Sequence, residues 1–141
     1  LTAFARGLAR FAAAGPGAGP REAAMVALRD AMMRQPLLVA GAGRACTRLM
    51  RAARGKAAVK TGAEGVFAAI LPEQRLGIAV KIDDGATRAS EVAITSLLIG
   101  AGVLDPDDPE VQALVRPDIL NRMGTVTGHA EAHEELAGWR L

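Results

Sequence analysis

Aromatic side chains are nearly missing from this 141-residue sequence: three Phe, one Trp and no Tyr. Modules that read single-stranded nucleic acid stack bases on aromatic platforms, so no nucleic-acid partner is expected. Cysteine occurs once, at Cys46. That excludes an internal disulfide and a cysteine-rich metal centre, and a lone thiol fits a reducing cytoplasm. No apolar run has the length and flanks of a membrane span, and no signal peptide is visible, so no membrane partner is expected. The sequence opens at Leu1 with a helical pattern already under way, which reads as a fragment or a processed piece of a longer chain.

What is present suffices for one domain with a real core. Half of the residues are hydrophobic, more than a disordered chain carries. With so few rings, the core must be built from Ala, Leu, Val, Ile and Met, with elements drawn close by Gly and Ala. The net charge of +2 conceals an asymmetry. Residues 1–60 hold 11 Lys and Arg against 2 Asp and Glu, a net of +9, whereas residues 61–141 hold 6 against 13, a net of −7. Either the two parts attract each other or the basic part faces an acidic partner.

The apolar periodicity predicts an α+β fold: an antiparallel sheet, a meander of three or more strands, covered by helices. Helices are expected over residues 2–54, the sheet over 57–83, helices over 87–115, and a terminal strand and tail over 121–141. Thr2–Ala14 carries Phe4, Leu8 and Phe11 at helical spacing, and Gly15-Pro16-Gly17 breaks it. Arg21–Met33 places Met25, Leu28 and Met32 on one face, read as core. An apolar run, Leu37–Ala40, then enters a glycine turn. Arg44–Ala53 separates Arg44, Arg48 and Arg51 from Cys46, Leu49, Met50 and Ala53, so Cys46 reads as a small buried hydrophobe.

The sheet is expected from strands Ala57–Thr61, Val66–Leu71 and Leu76–Ile82. In the third, Leu76, Ile78, Val80 and Ile82 share one face and Gly77, Ala79 and Lys81 the other. The bulky side suits a helical layer, and the small side permits close approach. Thr87–Gly100 is apolar on nearly every side, the mark of a helix buried between layers, with an Asp or Thr87 available as its cap. Asp105-Pro106-Asp107-Asp108-Pro109 is a turn and cap, lacking the ligand spacing of a calcium loop. Gly124–Gly128 suits a small strand, and the tail from His129 reads as a polar helix.

Lys60-Thr61-Gly62 is the stretch that carries chemistry. A lysine between Val59 and Thr61 places an ammonium at the edge of an apolar sheet, an unusual position for a charge. A lysine partly desolvated there can pass a proton at a serine nucleophile or hold a substrate carboxylate. Lys-Thr-Gly is also one of three signatures of serine enzymes that use a Ser-x-x-Lys nucleophile, and the other two are absent. The bland reading is a lysine snorkelling at a sheet edge. Gly41-x-Gly43 has the outline of a dinucleotide-binding turn, but Cys46 stands at the third glycine and Lys60 where an acid belongs. His129 and His133, four apart, would share a face of the tail helix, with no third metal ligand nearby.

The blocks Leu38–Arg44, Lys60-Thr61-Gly62-Ala63-Glu64-Gly65 and Lys81-Ile82-Asp83-Asp84-Gly85, with Asn121-Arg122-Met123-Gly124 near the end, resemble the rhizobial-type (thermolabile, type II-like) L-asparaginase family. The resemblance runs from about Ala3 to Gly128 and implies a fold similar to serine β-lactamases and glutaminases. It implies hydrolysis of L-asparagine to L-aspartate and ammonia by paired serines and lysines. The resemblance implies that Lys60 takes the place of the family lysine as the catalytic residue, with Thr61, Gly62 and Glu64 expected to line the substrate pocket. The Ser-x-x-Lys segment belongs to a preceding part of the family's chain, and so do the residues through which members bind zinc. Neither a nucleophile nor a metal ligand is therefore assigned here, no cofactor is expected within this chain, and this piece alone should be inactive. A homodimer is the expected assembly. The alternatives are a glutaminase or penicillin-recognising hydrolase on the same fold, or a non-catalytic binding module.

Overall fold

A computed structural model describes residues 1–141. In chain order the elements are α1 (Thr2–Ala13), α2 (Pro20–Arg34), α3 (Pro36–Ala40), α4 (Ala45–Ala52), β1 (Ala58–Thr61), β2 (Val66–Leu71), β3 (Leu76–Lys81), α5 (Thr87–Gly100), α6 (Pro109–Val115), β4 (Asp118–Leu120), β5 (Val126–His129) and α7 (Glu134–Ala137). The sheet is an antiparallel meander in the order β1-β2-β3. Its register sets Lys60 opposite Ala68, Thr61 opposite Phe67, and Ile70 opposite Gly77. The α+β class read from the sequence is what forms.

Strand alternation sends Val59, Phe67, Ala69, Leu71 and Ile78 to one face. There they meet α4, α5 and α6 in a single cluster of eighteen buried residues. Phe67, Leu49, Met50, Leu71, Ile94, Leu98 and Val111 are fully buried within it, each contributing about 1.5–3 kcal/mol of transfer free energy. Helix α5 is apolar all round because the sheet, α6 and α7 all touch it. Its flank is closed by the tail: the Trp139 ring lies against Gly100, and the Leu141 N–H donates to the Gly100 carbonyl at 3.1 Å.

The opposite face carries Ala58, Ile70, Gly77 and Ala79, and is covered by α1. Only Gly fits at position 77, because a Cβ there would run into the α1 backbone at Ala5 and Ala9. The buried cluster on this side has three members, Ala12, Ala58 and Ile70. Arg29 of α2 ties the layer together: its guanidinium donates to the carbonyls of Phe11, Ala12 and Ala14 at 2.7, 2.9 and 3.0 Å, satisfying the open end of α1.

Several expectations are corrected. Helix α2 has no buried residue, and Leu28 in the supposed core stripe is 60% exposed. The helix reaches the sheet beside β1, so Met32 packs against the core while Leu28 does not. The apolar run Leu37–Ala40 lies in the short helix α3, so the glycine turn after it lacks the strand that a dinucleotide site requires. Thr87 does not cap α5; Asp84 instead accepts the Ala86 N–H at 2.8 Å in the turn before it. The terminal strand pairs with β4 in a separate two-stranded ribbon, and the tail helix shrinks to the four residues of α7.

Candidate active site

Strand β1 is an edge strand, and its alternation decides what the candidate residues offer. Gly62 turns its N–H inward to the Val66 carbonyl at 2.8 Å. Thr61 therefore turns its own main-chain groups outward. Both have found partners: the Thr61 N–H donates to Cys46 Sγ at 3.2 Å, and the Thr61 carbonyl accepts from Lys60 Nζ at 2.8 Å. Cys46, fully buried on α4 as its apolar position foretold, thus anchors the strand end from the thick side of the sheet.

Lys60 and Thr61 project to opposite faces. Thr61 is half-buried on the side of α4 and α5, and its hydroxyl donates weakly to the carbonyls of Gly62 and Val66 at 3.3 and 3.4 Å. Lys60 lies on the α1–α2 side and is exposed. The partial desolvation expected of it from the sequence is not provided by these residues. No carboxylate pairs with it.

The turn after β1 packs on the turn after β3. Gly65 is buried with φ +68°, and a Cβ on it would lie 2.9 Å from the Ile82 side chain and 3.0 Å from the Gly85 backbone. The Ile82 N–H donates to the Gly65 carbonyl at 3.1 Å. Glu64, also left-handed at φ +55°, is held with its carboxylate over Gly85, whose own Cβ would meet Oε2 at 3.1 Å. A non-glycine residue in that conformation costs about 1 kcal/mol or more, so the fold holds the Glu64 backbone in this turn at some expense. Glu64 is exposed and forms no ion pair. Lys60, Thr61 and Gly62 thus stand contiguous at the strand end, with Glu64 across the turn above Gly85. The five principal cavities are lined by none of these four, so on these residues the candidate site is an open surface.

The chain has two serines, Ser90 and Ser96, and neither is available as a nucleophile. Both are buried on α5, donating to the carbonyls of Thr87 at 2.8 Å and Val92 at 3.0 Å. Neither is followed by a lysine three residues on.

Two features near the site escaped the sequence. The Cys46–Thr61 contact joins positions 15 apart on different elements, with no local signature. Glu91 did leave a signal: it is the one acidic residue in helix 87–100. Burial pushes its carboxyl above the ordinary value, and the guanidinium groups of Arg44 and Arg48 act in the other direction. Arg48 also bridges to Glu110 at 2.7 Å, joining α4 to α6.

No three His, Cys, Asp or Glu side chains converge where they could hold a metal ion, and the sulfur of Cys46 is already engaged by Thr61. His129 and His133 do not share a helix face. His129 lies in β5 with Nδ1 2.9 Å from the Asp118 carboxylate, and His133 precedes α7, accepting the Glu135 N–H at 3.4 Å.

With that geometry in place, comparison with known families is decisive. A family model described as L-asparaginase II matches residues 1–132. The chain belongs to the L-asparaginase II family. The match takes in all four candidate residues and both glycine-bounded turns, and stops at α7. A search of curated proteins gave no match. No helix is long and apolar enough to cross a membrane.

Proposed function

We propose that Lys60, Thr61, Gly62 and Glu64 form one wall of the active site of an asparaginase-type amidohydrolase, which converts L-asparagine and water to L-aspartate and ammonia. The observation that carries the reading is the packing of turn 62–65 on turn 82–85 next to Lys60, whose ammonium has no carboxylate partner. It occurs in a chain that matches the family over residues 1–132. The nucleophile is a serine outside these 141 residues, since Ser90 and Ser96 are committed to α5. The helix-covered antiparallel sheet is compatible with the serine β-lactamase and glutaminase arrangement.

In this reading the second wall closes over Lys60 and excludes water, the condition under which a lysine serves as a base. The serine hydroxyl attacks the side-chain amide carbon and its proton passes to Lys60. Lys60 returns that proton to the leaving nitrogen, and ammonia departs from an acyl-enzyme ester. Water then hydrolyses the ester, releasing aspartate and restoring the serine. Thr61 and Gly62 line the pocket, Gly62 allowing the substrate close to the backbone. Glu64, fixed above Gly85 and unpaired, is the acceptor for the substrate's α-ammonium.

Ammonia release tests the proposal. The protein extended upstream of Leu1 is expected to hydrolyse asparagine in preference to glutamine and a chromogenic β-lactam, and residues 1–141 alone to release none. Preference for glutamine or the β-lactam overturns the substrate. Turnover by the isolated 141 residues overturns the external serine.

A further inference from the structure

The most basic part of the molecule lies away from the candidate active site, where α2, α3 and α4 meet. A cleft of about 510 Å³ there is lined by Arg34 from the end of α2, by Arg51 on α4 and by Arg54 just after it. Its remaining wall includes the apolar side chains of Met33, Pro36 and Leu37. Four arginines elsewhere have partners: Arg29 and Arg140 on carbonyls, Arg48 and Arg116 on carboxylates. Arg34, Arg51 and Arg54 have none.

Three unpaired guanidinium groups around one cleft repel each other unless something neutralises them. Arg54 is, moreover, held at φ +49°, a conformation that L-residues other than Asn and Asp seldom adopt. Arg51 and Arg54 also border a neighbouring cleft with Arg48, Asp108 and Glu110; there Glu110 pairs with Arg48 and not with either of them. The α2–α4 cleft has no carboxylate in its lining.

We propose that this cleft binds an organic phosphate: an anion of at least two charges, carried on a body whose flat or apolar side rests on Met33, Pro36 and Leu37. Guanidinium groups suit phosphate oxygens through paired, charge-assisted hydrogen bonds. The apolar wall distinguishes such a ligand from a bare anion, and a cleft of this size holds a nucleotide-sized molecule. The site is separate from Lys60 and does not depend on the asparaginase reading, because binding is measured without an amide substrate.

Calorimetric titration of residues 1–141 with ADP, with inorganic phosphate and with adenosine tests it. ADP is expected to bind at least ~10-fold more tightly than either of its parts, and to weaken several-fold between about 50 and 200 mM NaCl as screening rises. Arg51→Gln with Arg54→Gln should weaken ADP by ~10-fold or more while leaving the circular dichroism spectrum unchanged. Leu37→Ser should weaken ADP while sparing inorganic phosphate. Equal affinity of the double variant for ADP overturns the site. So does adenosine binding as tightly as ADP, or heparin binding where ADP does not, which would mark a surface for an extended polyanion.

Discussion

The two faces of the sheet are built to different depths, and the candidate active site straddles them. Beneath one face, α4, α5 and α6 close over eighteen buried residues; beneath the other, α1 and α2 close over three. Thr61 belongs to the thick side, where Cys46 holds its N–H. Lys60 belongs to the thin side, where nothing but a neighbouring carbonyl restrains it. The same strand thus presents one residue fixed by the packing beneath it and one left exposed. A positioning group belongs where packing is complete, and a group that trades protons belongs where a second surface can close on it.

The contrast is most directly broken by matched truncations. Phe67→Ala in the thick core is expected to cost about 3–5 kcal/mol, and Leu8→Ala, half-buried on the thin side, about 1–2 kcal/mol. Urea midpoints measure both. Equal losses would mean that the thin face carries as much of the stability as the thick one. Gly77→Ala should come next, at about 1–3 kcal/mol, because the new methyl has only α1 backbone to push against. Limited proteolysis should then cut first within residues 1–20, whereas a variant with unchanged protection would place α1 elsewhere.

A smaller effect sharpens the thick side. Burial holds the Glu91 carboxyl above its ordinary value, so the folded state binds its proton more tightly than the unfolded state. Stability linked to Glu91 is therefore complete at low pH and declines as pH rises from the ordinary carboxylate range through the raised folded value. Glu91→Gln removes that decline. Its urea midpoint relative to the parent should rise between roughly pH 4 and 7. A fall over the same interval would show that Arg44 and Arg48 outweigh desolvation.

These contrasts mark what the sequence could disclose. The three central strands were legible because Gly62, Gly65 and Pro72-Glu73-Gln74-Arg75 punctuate short apolar runs, and in the third strand Gly77 and Ala79 announced the face where a helix comes close. Strand β4 was not legible, since three residues between Pro117 and Asn121 carry no period. The Met25–Leu28–Met32 stripe was read only in part: Met32 packs against both core clusters and Met25 is half-buried, but Leu28 faces solvent, because amphipathicity does not say how far along a helix the cover extends. At the site, Lys60, Thr61 and Gly62 stood out as a motif and Cys46 as buried. The exposure of Lys60 was not readable, because it depends on tertiary packing that no local pattern encodes. The Cys46–Thr61 contact was hidden for a related reason: it joins two elements through a single hydrogen bond.

The central claim is that Lys60, as a neutral amine in the closed site, moves the proton in amide hydrolysis. It is tested by the turnover of asparagine in the protein carrying its upstream residues, with Lys60→Ala compared with the parent at equal thermal stability. The account predicts a fall in kcat of ~100-fold or more, the range lost with a proton-transferring group, and ammonia release at the parent rate would contradict it.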